Sequence, residues 1–318
     1  MLNNARGMKV DLIATSSLDR SSEWCFTSKG EKRGYIQPHA LDELWFHIGT
    51  ACNLACSFCL EGSKPGDNRL QLMRLADVKP FIHEALALGV QQFSFTGGEP
   101  FVAKDMVRIL GYASQYKPCL VLTNGTDPVL KRIDKILSLK NSKYPIAFRI
   151  SLDYVNPKLH DLERGEGSFA KSLESLQLLH HYGFKVSIAR QIVDPKEDKV
   201  KQDNEFYQLL SQHGLSDKIN IVAFPNFYEP GSIVEVPEIT EACMTTYHTQ
   251  KSRRQFMCAY SKMLVKINGK VKVYACTLVD DDKDYELADS LTAAMEKNIS
   301  LKHHRCFSCF ALGASCSE

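Results

Sequence analysis

The 318-residue chain has no apolar run long enough to cross a membrane, which excludes a transmembrane helix. Its first residues lack the apolar core of a signal peptide, so the sequence predicts a cytoplasmic protein. It has little net charge, +2 at pH 7, and therefore no general attraction to nucleic acid or to an anionic membrane surface. With 44% hydrophobic residues, the composition is that of a globular protein, enough for one large domain and one small one.

Cysteine, in contrast, is abundant, with 11 residues in the chain. In a chain of this length without an export signal, so many cysteines indicate metal or redox chemistry rather than a disulfide framework. Most of them form an early group and a late group. The early group is Cys52, Cys56 and Cys59, and the late group is Cys258, Cys276, Cys306, Cys309 and Cys316.

The early cysteines lie in the segment CNLACSFC at residues 52–59, directly after an apolar run at 44–48. Three thiolates on one loop can bind three irons of a [4Fe–4S] cluster and leave the fourth iron open to a small molecule. A structural zinc ion also uses clustered cysteines, but it normally takes four nitrogen or sulfur ligands. The triplet therefore favours an iron–sulfur site with one open iron, and zinc is the alternative.

Strand-like and helix-like segments alternate between residues 43 and 225. The predicted strands are 44–48, 92–95, 119–122, 146–152, 185–193 and 219–224, and the predicted helices are 75–88, 104–116, 128–139, 168–182 and 203–213. Six β/α repeats with short connections predict parallel strands and right-handed crossovers. The span is too short for a complete eight-fold barrel, so we predict an α/β fold with a partial (β/α)6 TIM-like barrel.

The rest of the chain divides into two smaller parts. Residues 1–42 are polar and are predicted to form an irregular N-terminal extension. Residues 226–318 are predicted to form a small cysteine-rich extension of a β-hairpin and helix. The predicted domains are therefore 1–42, 43–225 and 226–318.

Four polar or glycine-rich motifs follow consecutive predicted strands. They are the early cysteines after the first strand, Gly97-Gly98-Glu99 after the second, Thr123-Asn124-Gly125 after the third and Ser151-Leu152-Asp153 at the end of the fourth. In β/α barrels the chemistry collects at the carboxyl ends of the strands. The shared location therefore predicts a single site built from all four motifs.

These motifs resemble those of the radical SAM superfamily. The signature of that family is CxxxCxΦC with an aromatic residue at Φ, where this chain has Phe58. A GGE segment that contributes to cofactor binding follows the second strand of the family, and Gly97-Gly98-Glu99 matches it. The resemblance covers roughly residues 43–225 through its motifs and their order.

The resemblance implies a cofactor chemistry for the early cysteines. Cys52, Cys56 and Cys59 would hold a [4Fe–4S] cluster, and S-adenosylmethionine would bind its open iron. One electron then cleaves the bound cofactor to a 5′-deoxyadenosyl radical, which abstracts a hydrogen atom from the substrate. The cofactor supplies this chemistry, whereas the protein supplies position, potential and a dry site.

Further contacts with the cofactor are implied by the same resemblance. Gly97 and Gly98 would let the backbone approach the methionyl amine, although both also suit a tight turn. Ser151 and Asp153 would face the nucleoside, with a turn or a helix cap as the alternative. Arg164 would clamp the carboxylate of the cofactor, with an ordinary surface arginine as the alternative.

The late cysteines surround a hairpin signal. Asn268-Gly269 between two alternating runs predicts a β-hairpin. Cys258 precedes its first strand and Cys276 follows its second, so the hairpin would bring these two cysteines together. A helix-like stretch at 287–298 then leads to the C-x2-C pair.

This arrangement resembles the SPASM/twitch extension, which holds an auxiliary [4Fe–4S] cluster. The resemblance implies a twitch-like single cluster, because the chain has too few cysteines after the C-x2-C pair for the full SPASM pattern. The implied ligands are Cys258, Cys276, Cys306 and Cys309, with Cys316 as an uncertain fifth. A structural zinc ribbon is the alternative, since zinc also suits a hairpin with a C-x2-C pair.

The choice of substrate depends on what precedes the barrel. Many family members that modify peptides carry a leader-binding domain there, and only about 42 residues precede the first strand here. The sequence therefore favours a small substrate, such as a sugar, an aminoglycoside or a nucleoside, that is oxidised with help from the auxiliary cluster. The family also implies a flavodoxin- or ferredoxin-type electron donor.

Three other functions are left open by the sequence. The first is epimerisation, in which Cys119 or Cys243 would return a hydrogen atom, although buried structural thiols are common. The second is cross-linking of a ribosomal peptide by an enzyme of the same superfamily. The third belongs to another class, a zinc-binding interaction module on a barrel scaffold.

Overall fold

The computed structural model describes residues 22–192, 197–216, 218–225, 232, 234–280 and 282–313. Its strands are β1 Tyr35–Ile36, β2 Glu43–His47, β3 Gln92–Thr96, β4 Cys119–Thr123, β5 Ile146–Ser151, β6 Lys185–Gln191, β7 Asn220–Phe224, β8 Ser261–Ile267, β9 Lys270–Tyr274, β10 Glu286–Ala288 and β11 Ile299–Ser300. Its helices are α1 Ser22–Cys25, α2 Leu75–Ala87, α3 Met106–Ala113, α4 Asp127–Leu130, α5 Ile133–Leu137, α6 Pro157–Arg164, α7 Ser168–His181, α8 Lys199–Gln212, α9 Glu241–Tyr247, α10 Gln250–Arg253, α11 Met257–Tyr260, α12 Leu291–Met295 and α13 His304–Leu312.

Six parallel strands form the central part of the fold. Strands β2 to β7 lie side by side in chain order, and each pairs in parallel with the next. All five residues of β2 are buried, as expected for a parallel sheet covered on both faces. The predicted partial (β/α)6 barrel is therefore confirmed, and its strand ends lie within about two residues of the prediction.

The C-terminal hairpin continues the same sheet. Strand β8 pairs in parallel with β2, β9 pairs antiparallel with β8, and β10 pairs antiparallel with β9. The turn is the predicted Asn268-Gly269, where both residues have positive φ, 50° and 78°. The hairpin is thus hydrogen-bonded to the barrel, while the predicted domain boundary at 225 stays a prediction.

The described part of the N-terminal extension, residues 22–42, is connected to distant parts of the chain. Its regular elements are α1 and β1, and β1 pairs antiparallel with β11 near the other end of the chain. Trp24 of α1 is buried, and its ring meets that of Tyr285 edge-on with centroids 5.1 Å apart. Residues 22–42 therefore pack on the cysteine-rich part of the protein.

Two predicted helices were wrong in detail. The segment 128–139 forms two short helices, α4 and α5, because Arg132 between them leaves the helical conformation (φ −118°, ψ 9°). The segment 287–298 begins as strand β10 and becomes helical only at Leu291, after Ser290 has capped the helix through the amide of Ala293. Helical spacing of apolar residues did not reveal either break.

Helix length also bears on membrane insertion. The longest helices, α7 and α8, have 14 residues each. Within the described ranges, no helix is long and apolar enough to cross a membrane.

Candidate functional site

A cavity lies at the carboxyl ends of the barrel strands. Nine of the residues predicted from the sequence to form the site line this cavity: Cys52, Cys56, Phe58, Cys59, Gly97, Gly98, Ser151, Asp153 and Arg164. They come from the segments after β2, β3 and β5 and from the end of α6. The structure thus brings together the motifs that the sequence placed at successive strand ends.

The early centre, defined as Cys52, Cys56 and Cys59, lies on the loop after β2. Local hydrogen bonds shape this loop, with the Cys59 amide 3.2 Å from the Cys56 carbonyl. Burial raises the pKa of Cys52 to about 12 and also raises the pKa values of Cys56 and Cys59. The thiols are therefore protonated without a metal, and a bound cluster would displace these protons.

Gly97 and Gly98 allow the segment after β3 to lie directly against the segment that leads into the early centre. The Gly98 amide donates to the Gly49 carbonyl at 2.9 Å. A Cβ on Gly98 would lie 2.5 Å from the Thr50 oxygen and 2.6 Å from the Ala51 oxygen, and a Cβ on Gly97 would lie 2.7 Å from the Gly49 oxygen. Both glycines are required by this backbone contact, whatever they do for a cofactor.

Glu99 is buried behind the cavity rather than lining it. Its carboxylate accepts hydrogen bonds from the amides of Phe101 and Asn124, at 3.0 and 2.8 Å, and from the Thr123 hydroxyl at 2.8 Å. Burial raises the pKa of Glu99 to about 7, although these hydrogen bonds oppose the shift. The residue thus ties the end of β3 to the end of β4, and a direct contact with the cofactor stays a prediction.

The motif after β4 reaches the early centre through its asparagine. The Asn124 side-chain amide donates to Asn53 Oδ1 at 3.0 Å and lies 3.9 Å from Cys52 Sγ. Asn53 in turn donates to the Thr126 hydroxyl at 2.9 Å. The sequence assigns no individual role to Asn53, Asn124 or Thr126, although the position of the motif at a strand end predicts that it borders the site.

Arg164 brings a positive charge to the early centre. Its Nη1 lies 3.9 Å from Cys56 Sγ, and its guanidinium carbon lies 5.2 Å from the centre of the Phe58 ring. Its Nε donates to the buried carboxylate of Asp153. The guanidinium is therefore already oriented by Asp153 at the cavity wall, and the predicted clamp on the cofactor carboxylate stays a prediction.

A buried group of three polar residues, His47, Glu61 and Asp280, links the early loop to the segment after β9. His47 Nε2 lies 3.4 Å from a Glu61 oxygen and 3.8 Å from an Asp280 oxygen. Burial lowers the pKa of His47, but the hydrogen bond and charge of Glu61 and the charge of Asp280 outweigh it and raise the pKa overall.

The geometry of this group indicates a hydrogen-bond donor rather than a metal ligand. The Gly49 amide donates to His47 Nδ1 at 3.2 Å, so Nδ1 is the acceptor and Nε2 carries the hydrogen. A histidine that ligates a metal normally donates its other ring N–H to an acceptor. The contacts of His47 with Glu61 and Asp280 therefore join two parts of the chain, which sequence reasoning missed.

The late centre, defined as Cys258, Cys276, Cys306 and Cys309, lies beside the hairpin. Cys258 is on α11 just before β8, Cys276 follows β9, and the other two are three residues apart on α13. Burial raises the pKa of Cys276 well above its usual value, and the neighbouring thiols of Cys258, Cys309 and Cys306 raise it further. These four predicted ligands are thus close together, whereas Cys316 lies outside the described residues.

The thiols are not placed for a single zinc ion in the described residues. A tetrahedral zinc ion with Zn–S bonds of about 2.3 Å holds its sulfurs about 3.8 Å apart. In the part of the chain that the structure describes, the one group of three or more His, Cys, Asp or Glu ligand atoms all within 4.8 Å is the His47 group. The described cysteine sulfurs therefore do not form such a group, whereas the thiolates of a cubane bind different irons.

Two buried cations lie at the late centre. Lys262 on β8 donates to the Cys258 carbonyl at 2.8 Å, and burial lowers its pKa to about 8 while the Cys258 and Cys276 thiols act in the opposite direction. Arg305 on α13 donates to the Leu278 carbonyl at 3.2 Å and to the Leu60 carbonyl at 3.1 Å. Arg305 thereby connects the late centre to the residue that follows Cys59.

The two candidate hydrogen donors, Cys119 and Cys243, do not line the cavity. Cys119 is the first residue of β4, at the end of the strand opposite the cavity, and it is buried. Cys243 lies on α9, where Thr240 donates to its sulfur at 3.2 Å. Their positions favour structural roles over transfer of hydrogen to a bound substrate.

A comparison with known families places this site in a chemical context. Residues 46–204 match the model of the radical SAM superfamily. The chain belongs to this superfamily. The radical SAM barrel with a SPASM/twitch-like extension, predicted from the sequence, is thereby confirmed, as are S-adenosylmethionine and a [4Fe–4S] cluster as cofactors.

Two curated relatives are each similar to more than half of this chain. The antilisterial bacteriocin subtilosin biosynthesis protein AlbA of Bacillus subtilis is 34% identical over 196 residues, which cover 61% of this chain and 41% of AlbA. The mycofactocin maturase MftC of Mycolicibacterium smegmatis is 30% identical over 181 residues, covering 55% of this chain and 43% of MftC. The chain therefore spans less than half the length of either relative.

A solved structure shows the same fold. Streptococcus suis SuiB bound to precursor peptide SuiA superposes with a TM-score of 0.56 at 17% identity, covering 82% of this chain and 64% of SuiB. At this identity the likeness extends to the fold alone.

Proposed function

We propose that this protein is a radical SAM maturase that oxidises a peptide with the help of an auxiliary [4Fe–4S] cluster. The observation that carries this proposal is the similarity to AlbA, which is 34% identical to this chain over 196 residues. The similarity to the mycofactocin maturase MftC supports the same class of substrate. The likeness in fold to SuiB, solved with a precursor peptide, agrees with it.

This proposal reverses the order of the alternatives that the sequence suggested. The preference for a small substrate rested on the short segment before the first strand. The similarity to AlbA and MftC favours the peptide alternative. A sugar, aminoglycoside or nucleoside substrate is therefore the alternative that the experiment below tests, and a peptide substrate is the main proposal.

The two centres would divide the work between them. When bound, the early cluster with S-adenosylmethionine supplies a radical that removes a hydrogen atom, and the auxiliary cluster supplies an acceptor for one electron. Loss of one hydrogen atom, one electron and one proton amounts to oxidation of the peptide by two electrons. We assign Cys52, Cys56 and Cys59 to the early cluster.

Several groups in the cavity would position the reactants. Gly97 and Gly98 line the cavity without side chains, so their backbone groups can face the methionyl part of the cofactor. Ser151 lies at the end of β5, where its hydroxyl is available to the nucleoside. Arg164, oriented by Asp153, provides positive charge beside Cys56. The predicted flavodoxin- or ferredoxin-type donor stays a prediction.

The test measures 5′-deoxyadenosine and substrate mass together. Full-length protein, reconstituted without oxygen, is incubated with S-adenosylmethionine, a chemical reductant and candidate precursor peptides encoded near its gene. We expect one peptide to stimulate 5′-deoxyadenosine formation and to lose two hydrogen atoms. The matched control is the same protein with Cys52→Ala, Cys56→Ala and Cys59→Ala, which should give neither product.

A parallel panel of sugars, aminoglycosides and nucleosides tests the alternative. Stimulation of 5′-deoxyadenosine by one of these compounds, with no response to any peptide, would overturn the peptide proposal. A peptide that returns at unchanged mass but with inverted stereochemistry would instead indicate epimerisation.

A further inference from the structure

Lys262 is a fully buried lysine at the late centre that the proposed chemistry has not yet used. It is the second residue of β8, four positions after Cys258. Its ammonium donates to the carbonyls of Cys258 and Ser261 at 2.8 and 2.9 Å. Both of its hydrogen bonds therefore go to neutral acceptors.

No carboxylate balances this charge in the described part of the chain, where the ion pairs within 4.0 Å do not include Lys262. A buried ammonium without an anion is costly, because two carbonyl groups replace only part of its hydration. The burial of Lys262 therefore calls for an anion nearby that is formed by something other than an acidic side chain.

The hairpin shows where that anion would be. Cys258 precedes β8 and Cys276 follows β9, and since these strands are antiparallel, both cysteines lie at the same end of the hairpin. Lys262 is at that end too, within electrostatic range of both thiols. Four thiolates around a [4Fe–4S] core carry a net negative charge, so a cluster at the late centre would supply the missing anion.

We propose that Lys262 sets the reduction potential of the auxiliary cluster by placing a buried positive charge against its Cys258 and Cys276 side. This inference rests on the proposed auxiliary cluster. The reduced cluster carries one more negative charge than the oxidised cluster, so a nearby cation stabilises the reduced form more. Lys262 thus raises the potential and makes the cluster a better acceptor of the electron that the substrate loses.

The experiment is a redox titration followed by electron paramagnetic resonance. The full-length protein with Cys52→Ala, Cys56→Ala and Cys59→Ala serves as background, so that the signal comes from the auxiliary cluster alone. We expect Lys262→Met in this background to lower the midpoint potential of that signal. Lys262→Arg, which retains the charge, should leave the potential close to that of the background.

Lys266→Met is the matched control, because it removes the same charge from the same strand. Lys266 lies near the turn, about 13 Å farther along β8, and its ammonium is 2.6 Å from Asp77. We expect the midpoint potential of the auxiliary cluster to stay unchanged in Lys266→Met. An equal shift in Lys262→Met and Lys266→Met would overturn the proposal, since net charge alone would then explain the effect.

Iron content separates failure of this inference from failure of the proposed function. A background protein that binds no iron at all would contradict the auxiliary cluster itself. A background protein with about four irons, whose potential does not change in Lys262→Met, would contradict the role of Lys262 alone.

A further variant covers the case in which Lys262→Met loses the cluster. Lys262→Gln retains a hydrogen-bond donor but not the charge. Iron bound by Lys262→Arg but not by Lys262→Gln would support the charge as the required property. Iron bound equally by both variants would show that donation to the backbone is sufficient, and the proposal would be wrong.

Discussion

The early and late centres differ in how the chain assembles them. The early cysteines share one loop after β2, and groups from three other segments, Gly98, Asn124 and Arg164, hold or line that loop. The late cysteines come from α11, the end of β9 and α13, and the hairpin and helix bring them together. The early centre therefore opens onto a cavity, whereas the late centre has two buried cysteines, Cys258 and Cys276.

This difference explains the separate tasks that we propose for them. A cluster held by three cysteines beside a cavity can bind a small molecule, and a cluster held by four cysteines can only exchange electrons. The partners of the nearby cations also differ. Arg164 at the cavity is paired with Asp153, whereas Lys262 at the late centre donates to carbonyls.

The largest effect is expected from removing cysteines. Cys52→Ala, Cys56→Ala and Cys59→Ala together should abolish cleavage of S-adenosylmethionine and leave about four irons per chain. Cys276→Ala should leave that cleavage intact but prevent oxidation of the substrate, because the electron acceptor is lost. The assays are 5′-deoxyadenosine by chromatography, iron by colorimetry and substrate mass.

Cys25→Ala is the control for this comparison, since Cys25 is exposed and lies far from both groups in the sequence. Complete loss of iron from the triple variant would show that the centres do not form independently. Loss of cofactor cleavage in Cys276→Ala that retains four irons would contradict the division of tasks.

A smaller effect is expected from a substitution that disrupts the close backbone contact between Gly98 and Thr50. Gly98→Ala would place a Cβ 2.5 Å from the Thr50 oxygen, and because this oxygen belongs to the backbone, relief requires movement of the loop. We expect a loss of about 3 kcal/mol in the free energy of unfolding, together with weaker binding of S-adenosylmethionine. Anaerobic denaturation and equilibrium binding measure the two effects.

Gly111→Ala provides the matched control, because its Cβ would meet only the end of the Leu139 side chain at 3.3 Å. It lies inside α3, where alanine is the better helix former, so stability should stay the same or rise slightly. Equal losses in the two variants would argue against a special role for the Gly98 contact.

A pH-dependent effect is expected at Glu99, behind the early centre. The pKa of Glu99 is raised from its usual value of 4.5 to about 7 in the folded protein. Between these pH values the folded state therefore binds more protons than the unfolded state. Stability from this group is therefore present below pH 4.5 and is lost as the pH rises towards 7, by at most about 3 kcal/mol.

Denaturation of the wild type and of Glu99→Gln at pH 5 and pH 7 measures this effect. The wild type should lose stability between the two values, and Glu99→Gln, which cannot ionise, should lose less. A wild type that becomes more stable from pH 5 to pH 7 relative to Glu99→Gln would contradict the raised pKa.

The smallest effect is expected at Arg164. Arg164→Lys retains the charge but loses the planar group that contacts Asp153 and the Phe58 ring. We expect binding of S-adenosylmethionine to weaken about tenfold, or about 1.4 kcal/mol, with little change in iron content. Arg108→Lys, on the exposed face of α3, is the control. Unchanged affinity for S-adenosylmethionine in Arg164→Lys would contradict a role of the Arg164 guanidinium in binding the cofactor.

The early centre could be predicted from the sequence more completely than the late one. Its cysteines are local in sequence, and their partners lie at strand ends, where alternation of strands and helices predicts them. The sequence could not show that Glu99 faces away from the cavity. This orientation depends on a hydrogen bond from the Asn124 amide, which follows β4.

The late centre depends on contacts between distant segments. The Asn268-Gly269 turn and the cysteine spacing could be predicted from the sequence. The pairing of β8 with β2 could not, because no local sequence feature specifies which edge of the barrel a hairpin joins. Lys262 reads as an ordinary polar residue of an alternating strand until the structure shows that it is buried. The order of α1 and β1 likewise depends on β11 and Tyr285, far along the chain.

The central claim is that one chain holds two [4Fe–4S] clusters in two different settings. Counts of iron, acid-labile sulfide and zinc on anaerobically prepared wild-type protein test it most directly. The account predicts about eight irons and about eight sulfides per chain, without zinc. About four irons together with one zinc ion would contradict the auxiliary cluster, and zinc without labile sulfide would contradict both.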